Sequence, residues 1–470
     1  MDMPVSLPAT ADTAPSATQA DEVRALLRLA GPMVAANLLQ MAVYAVDVIF
    51  VGRLGPVELA ASTLGVFLYT LVMWAMIGLT GACAPLIAAE IGRRAHAVRE
   101  VRRTFRMAMW LGVLVATPFA VLMSQGEAIL LLAGQDPVVA RRADAFLDIL
   151  LFALGPSVLA GVMRTAAAAL GRPGWAMIVT ALAVVVALVA NWCLVFGNAG
   201  FPALGLEGSA IASLVTTLVM TLAYAGILVT DRRLRRFRLF GRWWRTEWAR
   251  MGEIVRLGVP IALTMTFEGA LFGGAAILMG LIGVAEVAAH AVALNIAAVA
   301  FQLPLGIGQA TTIRVGMAYG ARDVGWIARA GNAGIALGIG VMAVTAFALW
   351  AAPRPFIGAY LDLAAPENAR VIALAMQYLV VAAMFQLIDG AQVVSAAVLR
   401  GLQDTRVPML IALFGYWAVG FGTSILLGFG LGLEGVGIWL GLAAGLLVVS
   451  VLLLWRWRRR AALGLLPATD

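Results

Sequence analysis

Apolar runs of about twenty residues, each long enough to cross a bilayer core of roughly 30 Å, recur from near the start of this chain to near its end. A transmembrane β-barrel is disfavoured, because barrel strands alternate apolar and polar residues over roughly ten positions and these runs do not. With 62% hydrophobic and 12% charged residues and a mean hydropathy of +0.95, the 470-residue chain reads as a polytopic helical membrane protein. Twelve spans are expected near residues 26–50, 60–90, 105–132, 142–169, 174–197, 207–230, 253–282, 286–317, 325–352, 368–400, 407–430 and 434–455.

The formal charge of +8 is carried by arginine alone, and its location gives its meaning. Of the 33 arginines, 28 fall on one side of these spans and five (Arg53, Arg141, Arg142, Arg354, Arg370) on the other. By the positive-inside rule both termini are expected in the cytoplasm, and no nucleic-acid partner is needed to explain the charge. Residues 1–23 carry acids but no base before Arg24 and lack the apolar core of a signal peptide, so a disordered tail is expected there. Cys83 and Cys193 sit singly in apolar runs and imply packing rather than a disulfide framework.

The chain repeats itself. RLAGP (28–32) matches RLGVP (256–260), GRLGPVELAA (52–61) lies opposite GLIGVAEVAA (280–289), and LGLEGSAIA (204–212) recurs as LGLEGVGIW (431–439). The expected fold is therefore all-α, with twelve transmembrane helices in two six-helix lobes related by a pseudo-two-fold axis along the membrane normal. The expected lobes are 24–230 and 251–455, joined by a basic cytoplasmic linker at 231–250 and followed by a cytoplasmic tail at 456–470.

Three acids lie inside spans: Asp47, Glu268 and Asp389. Glu268 is the only charge between Leu257 and Ala285. An ionisable group at such depth marks a functional site unless a buried partner neutralises it, and neither Glu268 nor Asp389 has an arginine within two turns along its own span. Counting helical rise from Arg256 and Arg400 puts both at roughly 17 Å from the cytoplasmic edge, so one cavity in the second lobe is expected to hold both. Asn37, Gln40, Tyr44 and Asp47 are spaced 3, 4 and 3 and share a helix face. Gln386 and Gln392 flank Asp389 at three residues either way, while Asn295, Gln302 and Gln309 recur every seven. Aligned polar residues also serve as hydrogen-bond glue between helices. Three such stripes together with three acids favour a wet pathway. His290, four residues after Glu286, is expected to make an interfacial hydrogen bond. No GxxxxGK[ST], HExxH or CxxC is present, which disfavours ATP hydrolysis and metal catalysis within the chain.

With these features placed, GPMVAANLLQMAVYAVDVIFVGRLG, GVPIALTMTFEGALFGGAAILMG and FQLIDGAQVVSAAVLRGLQDTRVP resemble the first, seventh and tenth helices of multidrug and toxic compound extrusion transporters of the NorM type. The resemblance implies a non-enzymatic antiporter of the bacterial inner membrane, with no cofactor beyond a coupling ion. It would export cationic, often aromatic compounds in exchange for Na⁺ or H⁺, with Glu268, Asp389 and Asp47 as cation-coupling residues and Na⁺ at Glu268 and Asp389 as one reading. Asn37, Gln40, Tyr44, Asn295, Gln302, Gln386 and Gln392 would line the substrate path. The partners expected are organic cations and the lipid bilayer, and a monomer is expected. Competing readings are a flippase for a lipid-linked precursor, which needs an arginine-rich cavity, an intramembrane enzyme, which needs a nucleophile and base at depth, and a channel.

Overall fold

The computed structural model describes residues 18–94 and 97–468, and no strand occurs among them. The first half contains α1 (Gln19–Gly52), α2 (Pro56–Gly81), α3 (Cys83–Arg93), α4 (Ala97–Met123), α5 (Gly126–Leu132), α6 (Pro137–Ala169), α7 (Gly174–Leu194) and α8 (Gly205–Thr230). The second contains α9 (Trp248–Ile282), α10 (Val284–Gly320), α11 (Val324–Ala351), α12 (Pro353–Gly358), α13 (Ala369–Gly401), α14 (Arg406–Leu413), α15 (Gly422–Ile425) and α16 (Glu434–Arg458). The described residues form twelve spans long and apolar enough to cross a membrane, with α2 and α3 counted as one and 406–430 as another. The span 406–430 is unusual because π-helical turns at Phe414–Phe421 and Leu426–Gly430 interrupt it.

Helix starts follow local chemistry. Asp136 caps α6 by accepting from the amides of Val138 and Val139, and Asp323 caps α11 by accepting from Trp326. Several expected boundaries move. The third span, expected at 105–132, is α4 followed by a turn at Ser124 and Gln125 and the separate short helix α5. The tail expected at 1–23 is helical from Gln19, because Glu22 in the first turn is fully buried by partners far along the chain. Residues 1–17 lie outside the described residues. The C-terminal tail expected from 456 begins later, since α16 runs to Arg458, with Trp457 buried and Arg456 paired to Asp404 at 2.5 Å.

The linker expected at 231–250 ends where α9 begins at Trp248, and it is docked rather than loose. Arg102, Arg106 and Trp110 follow one another at i+4 on one face of α4. Their side chains donate to the backbone carbonyls of Phe237 (3.0 Å), Arg242 (3.1 Å) and Trp243 (3.1 Å). Glu247 accepts from Arg106 at 2.6 Å and also pairs with Arg103. Beneath the chain, Leu234, Phe237 and Leu239 are buried, and Phe240 meets Phe105 edge-on at 5.7 Å.

Packing divides the chain into two units, one holding residues 35–262 and the other, among the described residues, 18–34 and 263–468. The lobes expected from sequence, 24–230 and 251–455, are therefore not the packing units. The opening turns of α1 pack with the second half, and those of α9 with the first. Both crossings fall two residues after a proline inside the helix, Pro32 and Pro260, where a missing backbone hydrogen bond permits a bend. The repeat spacing of 228 that pairs Arg28 with Arg256 also pairs position 34 with 262, so the crossing is itself duplicated.

Candidate functional site

In the first unit, the later turns of α1 present Gln40, Tyr44 and Asp47 to a cavity of about 210 Å³, walled also by α2, α6 and α8. The spacing that put these three on one helix face thus brings them together. Asn37, the fourth of that set, does not line the cavity; it is buried and its Nδ2 has no hydrogen-bond partner. Asp47 is held from both sides. Asn191 of α7 donates from Nδ2 to one carboxylate oxygen at 2.7 Å, and Ser213 of α8 donates to the other at 2.9 Å. No cation pairs with Asp47 among the described residues. Tyr69 and Ser157 join across the wall at 2.9 Å.

Sequence reasoning missed several of these groups. Asn191 is the lone polar side chain for many residues of α7, a signal that was there to be read. Ser213 gave none, since serine is tolerated almost anywhere in apolar helices. Arg164 was counted among the arginines that set topology, yet it lines the cavity, and Tyr44 lies within electrostatic reach of both Arg164 and Asp47.

In the second unit, α13 buries Gln386, Asp389 and Gln392 together, at 1%, 4% and 2% exposure. Thr345 of α11 donates to the Gln386 carbonyl oxygen at 2.6 Å, and the Gln392 amide donates to the Tyr416 hydroxyl at 2.8 Å. Tyr416 stands in the first π-helical stretch, where the wider turn displaces side chains from their α-helical positions. The Gln392 carbonyl oxygen and the Gln386 amide nitrogen are left without partners.

Asp389 makes no hydrogen bond or ion pair among the described residues, nor does Glu268 of α9. The charges of the two carboxyl groups nonetheless bear on one another. Neither acid has an arginine within two turns on its own span, as the sequence shows. The charge of Arg400, eleven residues beyond Asp389 on α13, nonetheless bears on Glu268 of α9, an influence that counting along each span separately misses. The eighth-span stripe is not tied to the acids either. Asn295 is exposed and donates to the Ala291 carbonyl of its own helix at 2.8 Å, and Gln302 is only partly buried. His290 does not bond Glu286. Glu286 takes Arg370 at 2.8 Å, while His290 is buried against Trp439 with neither ring nitrogen partnered.

The chain is thus a twelve-span helical protein built from two repeated halves, each holding an acid at membrane depth among amide and hydroxyl groups. This is the architecture of a membrane transporter. The MatE family model matches residues 32–193 and 260–426, and the chain belongs to that family, as a member of NorM type. A probable multidrug resistance protein NorM of Mesorhizobium japonicum is 46% identical over 447 residues, covering 95% of this chain and 96% of the relative. One of the same description from Brucella suis is 45% identical, with 94% of each chain covered. Among solved structures, a mutant form of the MATE transporter VcmN of Vibrio cholerae superposes with a TM-score of 0.85 at 17% identity, covering 94% of this chain and 98% of that one. The eukaryotic MATE transporter AtDTX14 superposes with a TM-score of 0.83 at 22% identity, covering 94% and 96%. These superpositions speak for the fold.

Proposed function

We propose that this protein is an ion-coupled antiporter that exports cationic, often aromatic compounds from a bacterium across its inner membrane, with both termini cytoplasmic. The description of its relatives as multidrug resistance proteins supports a broad substrate range. The observation that carries the coupling is the state of Asp389: buried, beside Glu268, with no hydrogen bond or ion pair of its own among the described residues.

A desolvated carboxyl group gains by taking up a cation, and it releases that cation when its surroundings change. Glu268, Asp389 and the unpartnered carbonyl oxygen of Gln392 are hard oxygen donors of the kind that suit Na⁺, and the same carboxyl groups suit H⁺. If the site holds ion or organic cation but not both, the ion gradient drives the substrate outward. Asp47, with Asn191 and Ser213, supplies a comparable group in the first unit. The flippase reading asks for several arginines around a cavity, and the first-unit cavity has Arg164 alone.

Ethidium efflux from proteoliposomes, driven by a proton gradient alone and then by a sodium gradient alone, tests the reading and assigns the ion. Asp389→Asn is expected to abolish gradient-driven efflux while the protein still inserts, and Glu268→Gln to weaken its ion dependence. Normal driven efflux by the Asp389 variant would refute the coupling role.

A further inference from the structure

We infer that the segment between α8 and α9 is a docking surface for anionic phospholipid headgroups. Seven arginines lie within fourteen residues here: Arg232, Arg233, Arg235, Arg236, Arg238, Arg242 and Arg245. All seven are exposed, and none forms an ion pair or side-chain hydrogen bond among the described residues. The nearby acids are already engaged by other groups. Asp231 accepts from Trp175 at 3.0 Å and pairs with Arg172, Glu247 is taken by Arg103 and Arg106, and Glu253 pairs with Arg250. The outward face is left with uncompensated positive charge.

The surface is also built. Its inner side is fixed by the buried Leu234, Phe237 and Leu239 and by the three carbonyls gripped from α4, so the arginines are held outward on a fixed backbone. Its level is fixed as well, because the membrane spans α8 and α9 end and begin at Thr230 and Trp248. Trp244 and Trp248 are 78% and 67% exposed there. An indole, apolar in body and polar at its N–H, prefers the headgroup zone. Guanidinium groups bind phosphate in planar, two-pronged fashion. Arginine interleaved with aromatics also suits single-stranded nucleic acid. A surface pinned at the end of two membrane spans meets lipid phosphate first.

The test uses native mass spectrometry of the full-length protein in detergent, titrated in parallel with phosphatidylglycerol, phosphatidylcholine and a single-stranded RNA oligonucleotide. Wild type is expected to bind phosphatidylglycerol at least about tenfold more tightly than phosphatidylcholine. The quadruple change of Arg232, Arg233, Arg235 and Arg236 to Gln is expected to erase that preference, and the same four changed to Lys to keep most of it. Each arginine near an anionic surface is worth about fivefold in association, so the single change Arg235→Gln gives a readable effect with minimal disturbance. An undiminished preference in the glutamine variants, equal binding of the two lipids, or tighter binding of RNA than of phosphatidylglycerol would each overturn the proposal.

Discussion

The opening turns of α1 and α9 do the same job with opposite charges. Glu22 of α1 and Arg250 of α9 are repeat-mates, 228 positions apart like Pro32 and Pro260. Glu22 is fully buried in the second unit, where Arg314 holds it with two bonds of 2.7 and 2.6 Å and the Trp326 indole adds a third at 3.1 Å. Arg250 sits in the first unit among Glu90 (2.9 Å), Glu100 (3.1 Å) and Glu253 (2.7 Å), and is slightly exposed. The steric seats, by contrast, are alike. A Cβ on Gly78 would come within 2.5 Å of the Ala262 backbone, and one on its repeat-mate Gly306 within 2.9 Å of the Val34 backbone and 2.5 Å of its side chain. Val34 and Ala262 are repeat-mates too.

The close backbone approach recurs in both halves while the charge of the leading turn inverts, and each half supplies complementary partners at positions that are not repeat-mates, Arg314 in one and Glu90 and Glu100 in the other. The inversion has a consequence for specificity. Glu22 placed among Glu90 and Glu100, or Arg250 placed against Arg314, would meet like charge, so neither leading helix fits the other's seat.

The largest expected effect is that of Glu22→Ala. Removing one partner of a buried pair costs about 3–5 kcal/mol, since Arg314 stays buried without its carboxylate. Melting in detergent should fall furthest for this variant. Glu22→Ala and Arg314→Ala together should cost less than their sum, and a loss no greater than that of Arg250→Ala would break the comparison. Next come Gly78→Val and Gly306→Val, each expected to cost about 1–3 kcal/mol by overpacking, in similar amounts because the seats match. Unequal losses would show that only the backbone path, and not the packing, is duplicated.

Arg250→Ala should cost less, about 1 kcal/mol. Its site is partly wet, and the acids it leaves keep other partners: Arg93 for Glu90, Arg99 and Arg103 for Glu100. The smallest effect concerns Asp231, beside the first unit's docked linker. Burial raises this carboxyl group's pKa, but hydrogen bonds from Trp175 and from the amides of Arg233 and Leu234, with the charge of Arg172, outweigh it and hold the pKa below the usual range. A depressed folded value contributes stability above the unfolded pKa of about 4 and loses it as pH falls through the folded value. Asp231→Asn should therefore lower melting slightly at neutral pH and make no difference in strong acid.

Much of the membrane architecture was legible because the bilayer imposes it locally. Span length, arginine placement and the repeat all follow from composition over windows of twenty residues or more. Asp389 with Gln386 and Gln392, and Tyr44 with Asp47, were legible because helical spacing puts each set on one face. Asn295 and Gln302 show the limit of that method. The spacing was real, but a face is not a cavity, and Asn295 turns back to its own helix. Arg400 was overlooked because its influence on Glu268 runs between helices.

By itself the sequence determined twelve helices, two related halves and acids at membrane depth, since each depends on local hydropathy or on self-similarity. Tertiary structure alone decided that the opening turns of each half's leading helix pack with the other half, that Glu22 is the most deeply buried acid of α1, and that Asp47 rests between Asn191 and Ser213. Those facts depend on partners 144 to 292 residues away. Nothing in a local pattern specifies which distant side chain will close an ion pair or a hydrogen bond.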